Sequence, residues 1–226
     1  PRILIGKDTR KSGDMLEAAL TAGLCSMGAK VIPLGVVPTP AVAYLTRYYK
    51  ADAGVVISAS HNPCEYNGIK FFNSDGYKLS DGIENEIESY ILGEKAIEEL
   101  PTHGKVGYVS ANHNAVEDYV AFAVSTIDCR LDGMKIAVDC ANGASYETAF
   151  KALNKLGANV EAIHNTPDGV NINHMCGSTH MESLQAYVTS IGADIGIAFD
   201  GDADRMLAVD ENGKLIDGDQ IMAACA

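Results

Sequence analysis

The sequence predicts an α/β fold of two successive domains, each with a mostly parallel mixed sheet flanked by helices. Short apolar, β-rich runs alternate with segments of period near 3.6, and this alternation is typical of parallel sheets built from βαβ units. The periodicity weakens between Gly93 and Asn114 and then restarts. A chain of 226 residues is long for one domain, and each of two domains could bury its own core.

The first half of the chain contains four predicted strands with helices between them. Ser12 opens a helix of strong 3.6-residue periodicity, and a second helix follows Pro38. A third helix begins at Asp81, where Asp81 and Glu84 have the spacing of a capping box. The strands are predicted over residues 2–6, 30–34, 53–58 and 69–72.

The second half repeats this alternation after residue 114. A turn at Asn142-Gly143 leads into a helix that ends near Gly157, and a long polar loop precedes another helix. A helix is predicted over residues 115–127, the polar loop over 165–180, and strands over 135–139, 159–163, 194–199 and 206–209.

The weak periodicity in the middle of the chain indicates a connection between domains. We predict a first domain over residues 1–105, a second over 106–212 and the opening of a further domain over 213–226. The chain begins inside a strand at Pro1 and ends inside a predicted helix at Ala226, which favours a fragment of a longer protein.

Composition excludes several classes of function. The chain is 47% apolar and 21% charged, and none of its apolar runs approaches the ~18 residues of a membrane span. A formal net charge of −13 argues against a nucleic-acid partner. An acidic protein can still bind a phosphorylated metabolite where a metal and basic groups reverse the local field. Six cysteines without a CxxC pair favour free thiols in a reducing cytoplasm.

Three aspartates follow the predicted strand 194–199 directly. Asp200, Asp202 and Asp204 alternate along the chain, so in an extended segment they point to one side at steps of about 7 Å. Carboxylates this close repel one another unless a cation lies among them, and hard oxygen ligands select Mg²⁺, Ca²⁺ or Mn²⁺. This spacing favours a metal site over a solvated acidic turn.

An EF-hand calcium loop is the competing interpretation of these aspartates. Glu211 would then occupy the twelfth position, but Arg205 would stand where that loop requires glycine. The flanking segments also have the pattern of strands, whereas an EF-hand has two flanking helices. The EF-hand interpretation therefore fails.

A second polar loop follows the predicted strand 53–58. Ser60 and His61 lie at the strand's carboxyl end, where open α/β sheets place ligand loops, and Lys70 follows on the next strand. His61 could orient a phosphate, and Lys70 could transfer a proton. A capped turn with a surface lysine fits the same residues equally well. Ser58 also competes with Ser60, because both side chains project to one side of an extended chain.

The long polar loop 165–180 offers glycine, hydroxyl and amide groups. Its backbone N–H groups could surround an anion, although a plain surface loop is an equal alternative. His174, Cys176 and His180 match no closed zinc set. The chain also lacks a GxGxxG segment, which makes a dinucleotide site a poor interpretation.

Two motifs together give the chain a family resemblance. Ser58-Ala-Ser-His-Asn-Pro63 with Asn67-Gly-Ile-Lys70, followed by Asp200-Gly-Asp-Ala-Asp-Arg205, resembles the α-D-phosphohexomutase superfamily. The resemblance covers essentially the whole chain, and Asn171-Ile-Asn with Cys176-Gly-Ser-Thr-His180 points to the branch that acts on glucosamine phosphate. Similar segments also lie at residues 5–10, 140–143 and 217–220.

The resemblance implies an activity and a set of site residues. It implies interconversion of glucosamine 6-phosphate and glucosamine 1-phosphate through a phosphoserine and a bisphosphate intermediate, in cytoplasmic synthesis of UDP-N-acetylglucosamine, a cell-wall precursor. Ser60 would carry the phosphoryl group, and Mg²⁺ would bind Ser60 through its phosphate, together with Asp200, Asp202 and Asp204. The implied basic residues are His61 and Lys70, as catalytic groups, and Arg205 and Arg10, as phosphate-binding groups, with support of the loop as the other role open to Arg10.

The chain departs from the family pattern in two respects. Ala203 stands where the family has glycine, so a positive φ there would strain the metal loop. The family has four domains, and the substrate-gripping loops of domains 3 and 4 lie outside this chain, so we expect this chain alone to be inactive.

Two further functions and the assembly state stay open. One alternative is phosphomannomutase/phosphoglucomutase activity, and the other is a metal- or phosphosugar-binding module without turnover. Intact Ser60 and the three aspartates argue against the module. The oligomeric state of the full-length protein is left open, with a homodimer as one alternative.

Overall fold

The computed structural model describes residues 1–97, 99–111 and 114–226. It contains two five-stranded α/β sheets, which confirms the predicted fold class. The strands of the first half are β1 (Arg2–Lys7), β2 (Lys30–Val36), β3 (Ala53–Ile57), β4 (Ile69–Asn73) and β5 (Tyr108–Val109). Its helices are α1 (Ser12–Ser26), α2 (Thr39–Tyr48) and α3 (Asp81–Ile91).

The second sheet is formed by residues after position 134. Its strands are β6 (Lys135–Asp139), β7 (Asn159–Ile163), β8 (Ile195–Phe199), β9 (Met206–Asp210) and β10 (Leu215–Ile216). The accompanying helices are α4 (Ala115–Ser125), α5 (Thr148–Lys155), α6 (Glu182–Ile191) and α7 (Gly218–Cys225). None of the helices in the described part of the chain is long and apolar enough to span a bilayer.

The two sheets share the order of four strands. The first runs β4-β3-β1-β2-β5 and the second β10-β9-β8-β6-β7, so β1 to β4 correspond to β6 to β9. Among the four corresponding strands of each sheet, the first three are parallel and the fourth, β4 or β9, is an antiparallel neighbour of the third. The two halves are therefore structural repeats, although their sequences show no strong similarity.

Helices cover both faces of each sheet. In the first half α1 packs on one face against Ile5 and Val55, and α2 packs on the other against Leu4 and Val56. In the second half α5 packs on one face of the sheet and α6 packs on the other. Parallel strands are apolar on both faces because helices bury both, and this burial supplies most of the stability of each half.

Helix α4 connects the two halves. Its first turn, at Ala115, packs into the core of the first half, and Phe122 stacks on Tyr44 of α2 with ring centroids 3.8 Å apart. On its other side Glu117 pairs with Lys151 and Lys155 of α5 at 2.7 and 3.0 Å. These contacts fix the halves relative to each other.

Short strands extend both sheets beyond the predicted domain limits. β5 pairs with β2, so the first sheet continues past the predicted division at residues 105 and 106. β10 pairs with β9, so the second sheet continues past residue 212. Two-residue strands carry no periodicity, which is why the sequence pattern did not predict them. Whether residues 213–226 open a further domain stays a prediction.

The predicted capping box at Asp81 is wrong. Helix α3 follows Ser80, and neither Ser80 nor Asp81 caps it with a side-chain hydrogen bond. A capping box does form at α7, where the carboxylate of Asp217 accepts from the backbone N–H of Gln220 and the Gln220 amide oxygen accepts in return. Both aspartates have the spacing of a capping box. Asp217 lies at the N-cap of its helix and forms the box, whereas Asp81 lies one residue inside its helix and does not.

Candidate active site between the two sheets

The site forms where the corresponding loops of the two repeats meet. The Ser60 loop joins β3 to β4, and the Asp200–Arg205 segment joins β8 to β9. The Ser60 hydroxyl donates to Asp200 Oδ2 at 2.8 Å, across 140 positions of sequence. The structure thus brings together the two segments that the sequence singled out.

The backbone of the Ser60 loop distinguishes Ser60 from Ser58. Ser58 is buried, and its hydroxyl donates to Asp8 Oδ2 at 2.6 Å and accepts the backbone N–H of Ser60 at 2.9 Å. Ser60 is partly exposed and has a φ of +53°, which turns its hydroxyl toward Asp200. Ser58 therefore supports the loop, and Ser60 presents its oxygen to the site.

The three aspartates lie close together, as their spacing predicts. One carboxylate oxygen from each of Asp200, Asp202 and Asp204 lies within 4.8 Å of those of the other two. Asp200 and Asp202 are each 1% exposed, and Asp204 is partly exposed. Among the described residues Asp202 Oδ1 is a buried oxygen without a hydrogen-bond partner, although its Oδ2 is well supplied. An unpaired buried carboxylate oxygen beside two other carboxylates has the character of a cation ligand.

The environment shifts the pKa values of two of these aspartates in opposite directions. Burial would raise the pKa of Asp202, but hydrogen bonds from Lys70 and Thr39 outweigh it and hold that pKa below its usual value. Burial, together with repulsion from Asp202 and Asp200, raises the pKa of Asp204. The charge of the Asp204 carboxylate is therefore less well compensated by the protein than that of Asp202.

Basic side chains border the carboxylates. Lys70 on β4 places Nζ 2.7 Å from Asp202 Oδ2 and 3.9 Å from Asp204 Oδ2. Arg205 Nη2 donates to Asp200 Oδ2 at 2.9 Å and to the Ser60 hydroxyl at 2.7 Å. The same nitrogen lies 2.6 Å from His61 Nδ1. His61, Lys70 and Arg205 thus all lie beside Ser60 and the carboxylates, and their catalytic and phosphate-binding roles stay predictions.

Arg10 lies beneath the loop, where its guanidinium is fully occupied. Its Nε donates to Asp8, while its two terminal nitrogens donate to the backbone carbonyls of four loop residues, Ser60, Asn62, Pro63 and Tyr66. These contacts use all five N–H donors of an arginine. In this arrangement none is left for a phosphate, so of the two roles predicted for Arg10 the geometry favours support of the loop over phosphate binding.

Two residues in the site were not among the predicted site residues. Thr39 begins α2, and its hydroxyl donates to Asp202 Oδ2 at 2.7 Å while its backbone N–H donates to Asp202 O at 2.9 Å. Asn173 reaches the Ser60 loop from the polar loop 165–180. Pro38-Thr39-Pro40 has the pattern of an ordinary helix start, and Asn173 was noted only as part of Asn171-Ile-Asn, a segment that carries the family resemblance.

A third cluster lies beside the site at the ends of β6 and β7. Asp139 is buried, and its carboxylate accepts from Ala141 N, Gly177 N and His164 Nδ1 at 2.8 to 2.9 Å. The thiol of Cys176 lies next to this cluster, and burial raises its pKa to about 12. Through these three hydrogen bonds Asp139 holds the polar loop against the end of β6.

Comparison with known proteins places the chain in a family. The family model described as phosphoglucomutase/phosphomannomutase α/β/α domain I matches residues 1–98, and the model of domain II matches residues 116–213. The chain belongs to the phosphoglucomutase/phosphomannomutase family. The predicted superfamily is thereby confirmed.

Curated members of the family are closely similar in sequence. A phosphoglucosamine mutase of Acetivibrio thermocellus is 64% identical over 223 residues, which cover 99% of this chain and 50% of that protein. One of Clostridium acetobutylicum is 63% identical over 225 residues, covering 100% and 50%. The chain therefore spans about half the length of the curated relatives it matches.

Solved structures of family members have the same fold. A phosphoglucomutase/phosphomannomutase family protein from Burkholderia thailandensis is 29% identical, with a TM-score of 0.80 over 95% of this chain and 47% of that chain. Aspergillus fumigatus N-acetylphosphoglucosamine mutase, solved with GlcNAc-6P and magnesium, is 20% identical with a TM-score of 0.54 over 98% and 37%. The second likeness concerns the fold alone.

The Asp200–Arg205 segment has a residue with a strained backbone, which a substitution can relieve. Ala203 has a φ of +54°, so the position that is glycine in the family pattern does require a left-handed backbone. We expect Ala203→Gly to raise the free energy of unfolding by about 1 kcal/mol. Ala22→Gly, on the exposed side of α1, should lower it by about 1 kcal/mol. Urea unfolding measures the change in the free energy of unfolding for both variants. A lower value for Ala203→Gly than for the unmodified chain would contradict the strain assignment.

The Asp139–His164 pair predicts a pH dependence of stability. The hydrogen bond to Asp139 is the main cause that raises the pKa of His164. The stabilisation is then fully present below the unfolded-state pKa of about 6.5 and is lost as pH rises through the higher folded-state value. His164→Gln should therefore cost more stability at pH 5.5 than at pH 9 in urea unfolding, whereas His103→Gln, at an exposed position, should show little dependence. A His164→Gln cost that grows with pH would contradict this.

Proposed function

We propose that this chain is the phosphoserine- and metal-binding half of a phosphoglucosamine mutase. The full protein would interconvert glucosamine 6-phosphate and glucosamine 1-phosphate through a bisphosphate intermediate, in the cytoplasm and toward UDP-N-acetylglucosamine. The observation that carries this proposal is the hydrogen bond from Ser60 to Asp200 within a group of three carboxylates and three basic side chains. Sequence identity of 59–64% to curated phosphoglucosamine mutases supports the choice of sugar.

The oxygen ligands fit Mg²⁺. Three carboxylates, one of them with an unpaired buried oxygen, give a hard donor set that suits Mg²⁺ and would hold it together with a phosphate oxygen on Ser60. A structure of this fold solved with magnesium is consistent with that choice. When bound, Mg²⁺ neutralises charge on the transferring phosphoryl group.

The chain's own residues position the reaction. The Ser60 oxygen carries the phosphoryl group; a substrate hydroxyl oxygen forms the new O–P bond while the bond to Ser60 Oγ breaks. The hydroxyl proton returns to the Ser60 oxygen through a basic side chain, for which Lys70 and His61 are the candidates. Arg205, already on the Ser60 hydroxyl, donates to phosphate oxygens. Arg10 holds the loop backbone.

Two other functions have weaker support. Phosphomannomutase/phosphoglucomutase activity would use the same half-site, since the family name covers it, but curated relatives at this identity are named for glucosamine. A binding module without turnover would not require Ser60 to be exposed on a strained backbone beside Asp200.

The phosphate is expected on Ser60. Its hydroxyl faces the carboxylates and Arg205, whereas the Ser58 hydroxyl is buried against Asp8. Peptide mass spectrometry of the full-length parent protein, with fragment ions that separate the two serines, measures the position. Phosphate on Ser58 would contradict the proposal.

Metal binding should depend on Asp202. Asp202→Asn keeps the acceptor for Thr39 but removes one ligand charge, so Mg²⁺ affinity measured by calorimetry on this chain should fall at least about tenfold. Glu211→Gln is the matched control, because Glu211 is exposed outside the carboxylate group and its loss would matter only in an EF-hand. Unchanged Mg²⁺ affinity in Asp202→Asn, with the fold intact by circular dichroism, would refute the metal assignment.

Activity should require the full-length parent. A coupled assay for glucosamine 1-phosphate should show turnover by the parent, none by its Ser60→Ala variant and none by this chain, because binding energy that grips the far end of the substrate is missing. If the parent turned over mannose or glucose phosphate at least tenfold faster than glucosamine phosphate, that sugar phosphate would replace glucosamine phosphate as the proposed substrate. Turnover by this chain at the parent's rate would disprove the need for the other half.

A further inference from the structure

The backbone of the Ser60 loop is held from both repeats at once. The carbonyl oxygens of Ser60 and Asn62 each accept a hydrogen bond from Arg10 Nη2, at 2.9 Å, and another from Asn173 Nδ2, at 2.9 and 3.0 Å. A carbonyl oxygen has two lone pairs, so both lone pairs of each of these oxygens accept a hydrogen bond. Arg10 belongs to the first repeat and Asn173 to the second.

Asn173 is itself fixed to the second sheet. Its backbone N–H donates to Ala141 O at 2.9 Å, and Ala141 N donates to the buried carboxylate of Asp139. The same carboxylate accepts Gly177 N, four residues further along the loop. A continuous set of hydrogen bonds therefore runs from β6 through Asn173 to the Ser60 backbone.

The contact is close packed as well as hydrogen-bonded. A Cβ added to Gly201 of the metal loop would lie 2.6 Å from both Asn173 Nδ2 and Ser60 O. Asn173 is 8% exposed, and its Oδ1 is a buried oxygen without a partner in the described part of the chain. The amide is therefore oriented by the two carbonyls, at the cost of an unpaired acceptor on its other side.

We propose that Asn173 is a positioning residue for phosphoryl transfer at Ser60. The inference rests on the proposed function. Ser60 has a φ of +53°, a conformation that a serine keeps only when its surroundings impose it. Arg10 imposes it from the side of the first repeat, and Asn173 ties it to the repeat that carries the three aspartates. Asn173 thus sets the distance between the serine oxygen and the metal loop without contacting substrate.

The kinetic test uses the full-length parent, phosphorylated on Ser60, in single-turnover transfer to glucosamine 6-phosphate. Asn173→Ala and Asn173→Asp should slow transfer about 30- to 100-fold, the scale expected for a misplacement of about 1 Å. For Asn173→Ala without phosphate on Ser60, Mg²⁺ affinity should change less than about threefold, since the three carboxylates are untouched. Asn173→Ala also removes the unpaired oxygen, so its melting temperature should fall by no more than about 4 °C.

Asn171→Ala is the matched control. Asn171 lies in the same loop, but its side chain bonds to Thr166 and Asp168 within that loop. This variant should lose a similar amount of stability and keep transfer within about threefold of the unmodified rate. Transfer by Asn173→Ala that equals that of Asn171→Ala would overturn the inference.

A second measurement separates this inference from the proposed function. Hydrogen exchange of the peptide over residues 58–66 in this chain should become about tenfold faster in Asn173→Ala and stay unchanged in Asn171→Ala. Unchanged exchange in Asn173→Ala would overturn the inference whatever the substrate. Faster exchange together with a parent that never transfers phosphate from Ser60 would refute the proposed function and leave the role of Asn173 in holding the loop.

Discussion

The hydrogen bond between Ser60 and Asp200 is the contact on which the rest of the site depends. It joins loops from two sheets, so it exists only when the two repeats hold one relative position. Helix α4 fixes that position from one side, through apolar packing on the first repeat and ion pairs with the second. Close to the site, Thr39 and Asn173 cross between repeats in opposite directions. Stability and function therefore draw on the same inter-repeat surface.

The repeated topology explains why these two loops meet. Each site loop joins the third strand of its sheet to the antiparallel fourth, and each first strand is followed or ended by a buried aspartate. Asp8 Oδ1 accepts the N–H of Arg10, and Asp139 Oδ1 accepts that of Ala141, two residues on in each case. One repeat uses this frame to present a serine, and the other uses it to present carboxylates. Burying the aspartate costs free energy. At Asp8 burial raises the pKa of the carboxyl group, even though the hydrogen bond from Ser58 and the charge of Arg10 act to lower it.

Much of this arrangement was predictable from the sequence, and the limits have physical causes. Alternating strands and helices give a strong periodic signal, so the fold class and eight of the strands were predicted with nearly their observed limits. The Asp200–Asp204 spacing and the Ser60 motif indicated the site, and Ala203 was correctly expected to be strained if φ were positive. Thr39, Asp139 and Asn173 act through tertiary contacts with residues far along the chain, which no local pattern records. The role of Arg10 depended on how many of its donors the loop would use, and only the fold determines that.

A paramagnetic measurement tests directly whether the Ser60 loop and the Asp200–Arg205 segment form one site. Mn²⁺ prefers the same oxygen ligands as Mg²⁺ and broadens nearby ³¹P resonances. In the full-length parent phosphorylated on Ser60, the phosphoserine resonance should broaden strongly as Mn²⁺ fills the site, and Asp202→Asn should abolish the broadening at the same Mn²⁺ concentration. A phosphoserine resonance that keeps its width when Mn²⁺ is bound to the aspartates would show that the two loops do not share a site.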